Sequence, residues 1–203
     1  MHDPHFETAL LEALHPTQMT VGQHEVQAKR AHWRRIGHRA RYLGRHVVPV
    51  VAGPGEQHFL VDHHHLCRAL LDEGVREVGV TVIADLRHLG TDEFWAFMEH
   101  RGWLHPYDVK GRRCAAKHIP QRLADLKDDP YRSLAGATRL AGGFAKDTTP
   151  FSEFLWATHF RQRIAARRVR NRFERALEEA IALAHSDDST HLPGWCGPTC
   201  AEA

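Results

Sequence analysis

Two β-branched runs flank a Gly-Pro-Gly segment, and the second gives way at once to helical spacing. Val47, Val48, Val50 and Val51 lead into Gly53, Pro54 and Gly55, and Phe59, Leu60 and Val61 follow. Apolar runs bounded by Gly and Pro in this way predict a hairpin. Directly after Val61 stand Asp62, His63, His64 and His65; then Leu66, Ala69 and Leu70 recur at helical intervals as far as Gly74, a fitting C-terminal cap. A chain that turns from strand to helix across so short a polar stretch gathers those side chains at the open end of a helix. Residues 78–85, rich in Val, read as a further strand, so the class is α+β.

The other segments are less constrained. Residues 7–14 read as a short helix and residues 18–21 as a short strand. Residues 25–43 read as one long basic helix, broken at Gly37. Beyond residue 90 the strand signal fades, and helices are expected over 92–101, 119–126, 131–140, 151–163 and 171–185. The organisation that follows is a phosphate-binding domain over 15–90, a helical subdomain over 91–185 packed on it, and an irregular tail over 186–203 anchored by Trp195.

Composition narrows the setting. The chain has 203 residues, 42% of them hydrophobic, which is enough for a core. No apolar run approaches the roughly 18 residues that span a bilayer, and the start lacks a signal-peptide pattern, so a cytoplasmic protein is expected. Four cysteines are too few for a disulfide framework, and Cys196 with Cys200 has no second pair to complete a zinc site. The net charge is only +2. Its arginines nevertheless gather in 29–45 and again in 161–175; the second run reads as a solvated face because no exposed aromatics are evident within it.

The chemistry centres on residues 61–69. A helix start carries partial positive charge and open amides, which suits an anion. There Asp62 can cap the helix, His63, His64 and His65 can donate to phosphate oxygens, and Arg68 can add a charged fork. Cys67 is read as a small apolar core residue. The alternative is an ordinary N-cap with solvated histidines. A single metal held by His63 and His65 is a further reading, on the basis that alternate residues of an extended segment share a side; the metal itself is left unknown.

Hairpin, Asp62-His63-His64-His65, then a helix carrying Arg68-Ala69 and a Val-rich strand resembles the ParB N-terminal and sulfiredoxin superfamily. Further stretches extend the likeness over about residues 14–198: Ala84-Asp85-Leu86, Phe94-Trp95, Pro106-Tyr107-Asp108, 128–136, 141–146, 150–156 and 192–197. Over that length the chain resembles the bacterial family labelled "putative ParB-like nuclease". The resemblance implies a small mixed sheet with helices followed by a helical C-terminal half, and a helix start that holds nucleotide phosphates.

Departures limit what carries over. The sulfiredoxin thiol position is His64 here, which argues against sulfinate reduction. The Gly-Glu-Arg-Arg stretch of the DNA-partitioning proteins becomes His63, His64, His65 and Leu66, and no helix-turn-helix is evident. The Asp-Gly-His-His motif of the free-serine kinases is nearer. The Asp-His-His phosphoesterases need further aspartate motifs upstream, and only Asp3 precedes Asp62.

The resemblance therefore implies a nucleotide-dependent phosphotransferase or NTPase acting on a small acceptor. Mg²⁺ with ATP, ADP or CTP is the expected cofactor. Glu25, Asp62 and His64 are the catalytic candidates, and His63, His64, His65, Arg68 and Lys29 the phosphate contacts. Lys29 stands one helical turn from Glu25. Arg132, Ser133 and Lys146 are candidate substrate contacts from the helical half. The alternative is a nuclease or DNA-binding protein that meets nucleic-acid phosphates with the same histidines and the basic 29–45 helix.

Overall fold

In the computed structural model, which describes residues 5–198, a five-stranded sheet runs in the order β1 (His5–Leu10), β6 (Glu77–Asp85), β4 (Val48–Gly53), β5 (Gln57–Leu60), β2 (Leu14–Pro16). The β1–β6 and β4–β5 pairs are antiparallel, while β6–β4 and β5–β2 are parallel. The sheet is thus mixed, and the β4–β5 hairpin turns at Gly55, whose φ of 71° suits glycine. A two-residue strand, β3 (Thr20–Val21), pairs in parallel with β7 (Lys127–Asp128).

Strand β4 is buried on both faces, which explains valines at Val48, Val50 and Val51 rather than an apolar–polar alternation. Val48 and Val50 join Leu60, Val78 and Val80 against α1 (Gln23–Arg35) and α3 (His64–Asp72), through Val26, Trp33, Leu66 and Leu70. Val51 and Phe59 face the other way, onto Phe94 and Met98 of α4 (Thr91–His100). Helix α4 therefore belongs with the sheet.

Several expectations needed correction. Residues 7–14 are strand and a single 3-10 turn, not helix. Two turns of helix are marginal in water, whereas the edge of β6 pairs every residue of β1. The basic stretch does break around Gly37, as expected, into α1 and α2 (Arg39–Arg45). Residues 119–126 are not α-helical: Pro120 keeps Ile119 extended at ψ 134°, and a 3-10 turn at Leu123–Asp125 follows. Residues 166–184 form α7 (Ala166–Asn171) and α8 (Phe173–Ala184), divided at Arg172 with φ −145°.

The chain forms two compact units. One comprises residues up to Val21 together with Val26–Asp128; the other comprises Gly22–Glu25 and the residues from Asp129 onward. The boundary expected near residue 90 thus lies at 128/129, where Asp129 and Pro130 start a new helix. The second unit has its own core, in which Tyr131, Leu134 and Ala135 of α5 (Pro130–Leu140) meet Trp156 and Phe160 of α6 (Ser152–Arg163) and Ala176 and Ala180 of α8.

The tail is held down by specific bonds. Ala145 N–H donates to the Gly194 carbonyl at 2.8 Å and Trp156 Nε1 to the Pro193 carbonyl at 2.8 Å. Trp195 Nε1 donates to the Ser186 carbonyl at 3.2 Å. Cys200, the partner considered for Cys196, lies outside the described residues. No helix among the described residues is long and apolar enough to cross a membrane.

Candidate phosphate site

The hairpin delivers the chain from β5 to α3 through Val61, Asp62 and His63. Here Asp62 is not the N-cap. Its Oδ1 accepts the His63 N–H at 2.6 Å, and the cap position falls on His63, with φ 68° and no side-chain cap bond to the helix. A left-handed residue intervenes, so the short Asp62 side chain stops at His63's amide. That conformation favours glycine and costs another residue on the order of 1 kcal/mol. The His63 side chain, with its backbone N–H adding to the effect, holds the Asp62 carboxyl at about 2, well below the usual carboxylate range. The helical setting also removes the geometric basis for a His63–His65 metal pair, since these residues do not lie in one extended segment.

His64 and His65 are buried, contrary to the solvated alternative. The hydroxyl of Thr17 donates to the Leu60 carbonyl at 2.6 Å, and the Thr17 backbone N–H lies 3.2 Å from His64 Nε2. A backbone N–H can only donate, so Nε2 is the acceptor and the ring hydrogen resides on Nδ1. Thr17, itself fully buried, is the residue that sequence reasoning missed. It stands 47 positions from His64, with no local signal that links the two.

Arg68 is placed for the fold. Its Nε donates to Asp72 at 3.0 Å, and its Nη1 reaches the carbonyls of Ala124 at 3.1 Å and Leu126 at 3.3 Å. It thereby ties α3 to the 3-10 turn after Pro120. Cys67 is buried, and burial pushes its thiol up to about 12. It is the small core residue expected.

Within the second unit, Asp129 caps α5 by accepting the Tyr131 N–H at 3.1 Å and pairs with Arg161. Burial raises the Asp129 carboxyl above its ordinary value. Arg161 is therefore no part of a solvated face. Ser133 is buried, and its Oγ accepts the His24 N–H at 3.1 Å. A β-carbon on Gly22 would lie 2.6 Å from the Ser133 nitrogen, so the glycine permits this close approach.

Arg132 is buried over the Phe154 ring at 3.8 Å, with Glu153 at 3.4 Å from Nη2, while its Nε and Nη1 have no hydrogen-bond partner among the described residues. Burial lowers its pKa, against the charges of Glu153, Glu25 and Asp129. Glu25 Oε2 lies 3.5 Å from where a β-carbon on Gly136 would stand. Lys29 follows Glu25 by one turn of α1, and Lys146 is exposed between α5 and α6. The α3 start thus brings together Asp62, His63, His64 and His65. Arg132, Ser133 and Glu25 gather in the second unit.

The family described as "Putative ParB-like nuclease" matches residues 7–162. The chain belongs to that family. This ParB-like chain is also similar to a solved structure, that of protein Atu1540 from Agrobacterium tumefaciens. The two are 49% identical, with a TM-score of 0.91, over 96% of this chain and 99% of the other. No curated protein matches the ParB-like chain.

Proposed function

We propose that the protein binds nucleotides by their phosphates at the start of α3 and transfers or hydrolyses a phosphoryl group there. The observation that supports this most is the helix start itself, which has no side-chain cap, is entered through a left-handed His63 and opens on buried His64 and His65. The positive end of the helix dipole favours an anion. In this reading His63, His64 and His65 contact phosphate oxygens, with His64 donating through Nδ1.

Asp62 is the carboxylate at this position. Mg²⁺ is commonly held by one or two carboxylates together with substrate phosphates, so Asp62 suits an ion that arrives on the nucleotide. Such an ion offsets charge on the transferring group. Lys29, in the same unit as α3, is a proposed phosphate contact; Glu25, Arg132 and Lys146 belong to the second unit and are not assigned to this site. Arg68 and Ser133 serve the fold.

The test is thermal denaturation with ATP, ADP, CTP or GTP and Mg²⁺. A ligand at a hundred times its Kd stabilises by about 2.7 kcal/mol. The ligand-induced shift should vanish in His64→Ala and shrink in Asp62→Asn, whatever their own baseline stability. No shift with any nucleotide in the wild type ends this reading.

A second reading, nuclease action as in the family label, draws on the exposed Arg35, Arg39, Arg41 and Arg45 of the α1–α2 elbow. It predicts metal-dependent nicking of plasmid and DNA binding that weakens steeply with salt.

A further inference from the structure

The second unit carries a basic surface on which four arginines make no ion pair among the described residues. Residues 163–175 hold six arginines and one glutamate, in a chain whose total net charge is only +2. Arg168 pairs with Glu179. Arg167, Arg170, Arg172 and Arg175 are exposed and make no ion pair among the described residues. Val169 is buried, so Arg167 and Arg170 occupy the outward side of α7. Like charges so crowded repel one another, and this arrangement favours an anionic partner that spans several of them.

The sequence alone showed no exposed aromatic in this run, but the fold supplies one. Phe173, half-buried at the start of α8, stacks face to face with exposed His24, the centroids 4.0 Å apart and the planes at 15°. A depression of about 540 Å³ opens here, lined by residues 171–175. Rings set among unpaired arginines can accept both bases and phosphates, the combination by which proteins hold single strands. A flat anionic membrane would use the arginines but not the rings.

We infer that the α7–α8 junction is a docking surface for single-stranded nucleic acid, with Arg167, Arg170, Arg172 and Arg175 on phosphates and the His24–Phe173 pair stacking a base. Its four arginines and Phe173 lie beyond residue 162, where the family match ends, while His24 lies within it. It requires neither the α3 start nor turnover.

The experiment is fluorescence anisotropy of labelled oligo-dT and oligo-U of about 16 nucleotides against the full chain over a range of salt. Arg167→Glu/Arg170→Glu should weaken binding at least about tenfold and flatten the log–log salt slope by about 1–2. Phe173→Leu, which keeps apolar bulk, should weaken oligonucleotide binding about five- to tenfold and leave heparin binding unchanged. Binding should persist in His64→Ala, which separates this surface from the phosphate site. The inference is overturned if the arginine double variant binds like wild type. It is equally overturned if Phe173→Leu has no effect while phosphatidylserine vesicles bind as tightly as the oligonucleotides.

Discussion

His63 carries a β-carbon in a backbone conformation that glycine enters without strain. In urea unfolding, His63→Gly should therefore keep the unfolding free energy within about 1 kcal/mol of wild type, while His63→Val should lower it by about 1–2 kcal/mol, since a β-branched side chain tolerates positive φ least. The left-handed backbone at residue 63 was not read from the sequence, since nothing in a histidine's propensity marks it. At Cys67 the expectation is simpler. With the thiol buried and pushed up to about 12, native protein should leave Cys67 unmodified by iodoacetamide at pH 8, whereas exposed Cys196 reacts. Labelling of Cys67 without unfolding would contradict the burial.

At the scale of elements, legibility tracked how much of each signal was local. The β4–β5 hairpin and α3 were legible because Gly-Pro-Gly punctuation and the change of period lie within a few residues. The β1 strand was not, because its register is set by β6, some seventy residues away. Likewise the α3 site was visible as a motif, but Thr17 at His64 and Asp129 at Arg161 are long-range pairings. Pro120 was legible and outweighed the helix formers around it. The tail offers a test of an element held by one glycine. Gly194 has φ 74°, and a β-carbon there would collide with the Ala145 carbonyl oxygen. Gly194→Ala should release residues 186–198 and lower stability by about 1–3 kcal/mol, seen as faster hydrogen exchange at Ala145 and earlier proteolysis within the tail.

For the whole molecule, pH acts through His159. Its Nε2 donates to the buried Ser189 Oγ at 3.1 Å, while that hydroxyl donates to the Leu183 carbonyl at 2.7 Å. Burial lowers the His159 pKa from 6.5 to about 4, aided by the charges of Arg163 and His191 and opposed by Asp188. Between those values the unfolded chain binds the extra proton and the folded chain does not, so stability falls as pH drops from about 6.5 to about 4. The contribution is on the order of 1–3 kcal/mol. Urea unfolding at pH 7 and pH 4.5 should show it, and His159→Gln, which retains a donor, should flatten the dependence. A loss of equal size in His159→Gln would assign it to other groups.

The interleaving of the two units bears on how the chain can be divided. Gly22–Glu25 belong with the helical unit although the sequence on both sides belongs with the sheet, and Ser133 accepts the His24 amide across more than a hundred residues of intervening chain. A fragment that begins at Asp129 would leave the Ser133 hydroxyl without that donor and Phe173 without its stacked ring. Evolution or engineering that duplicates, swaps or splits at this seam must therefore carry a four-residue piece from within the sheet unit's stretch of sequence, so the helical half is inherited together with its neighbour rather than as a detachable module.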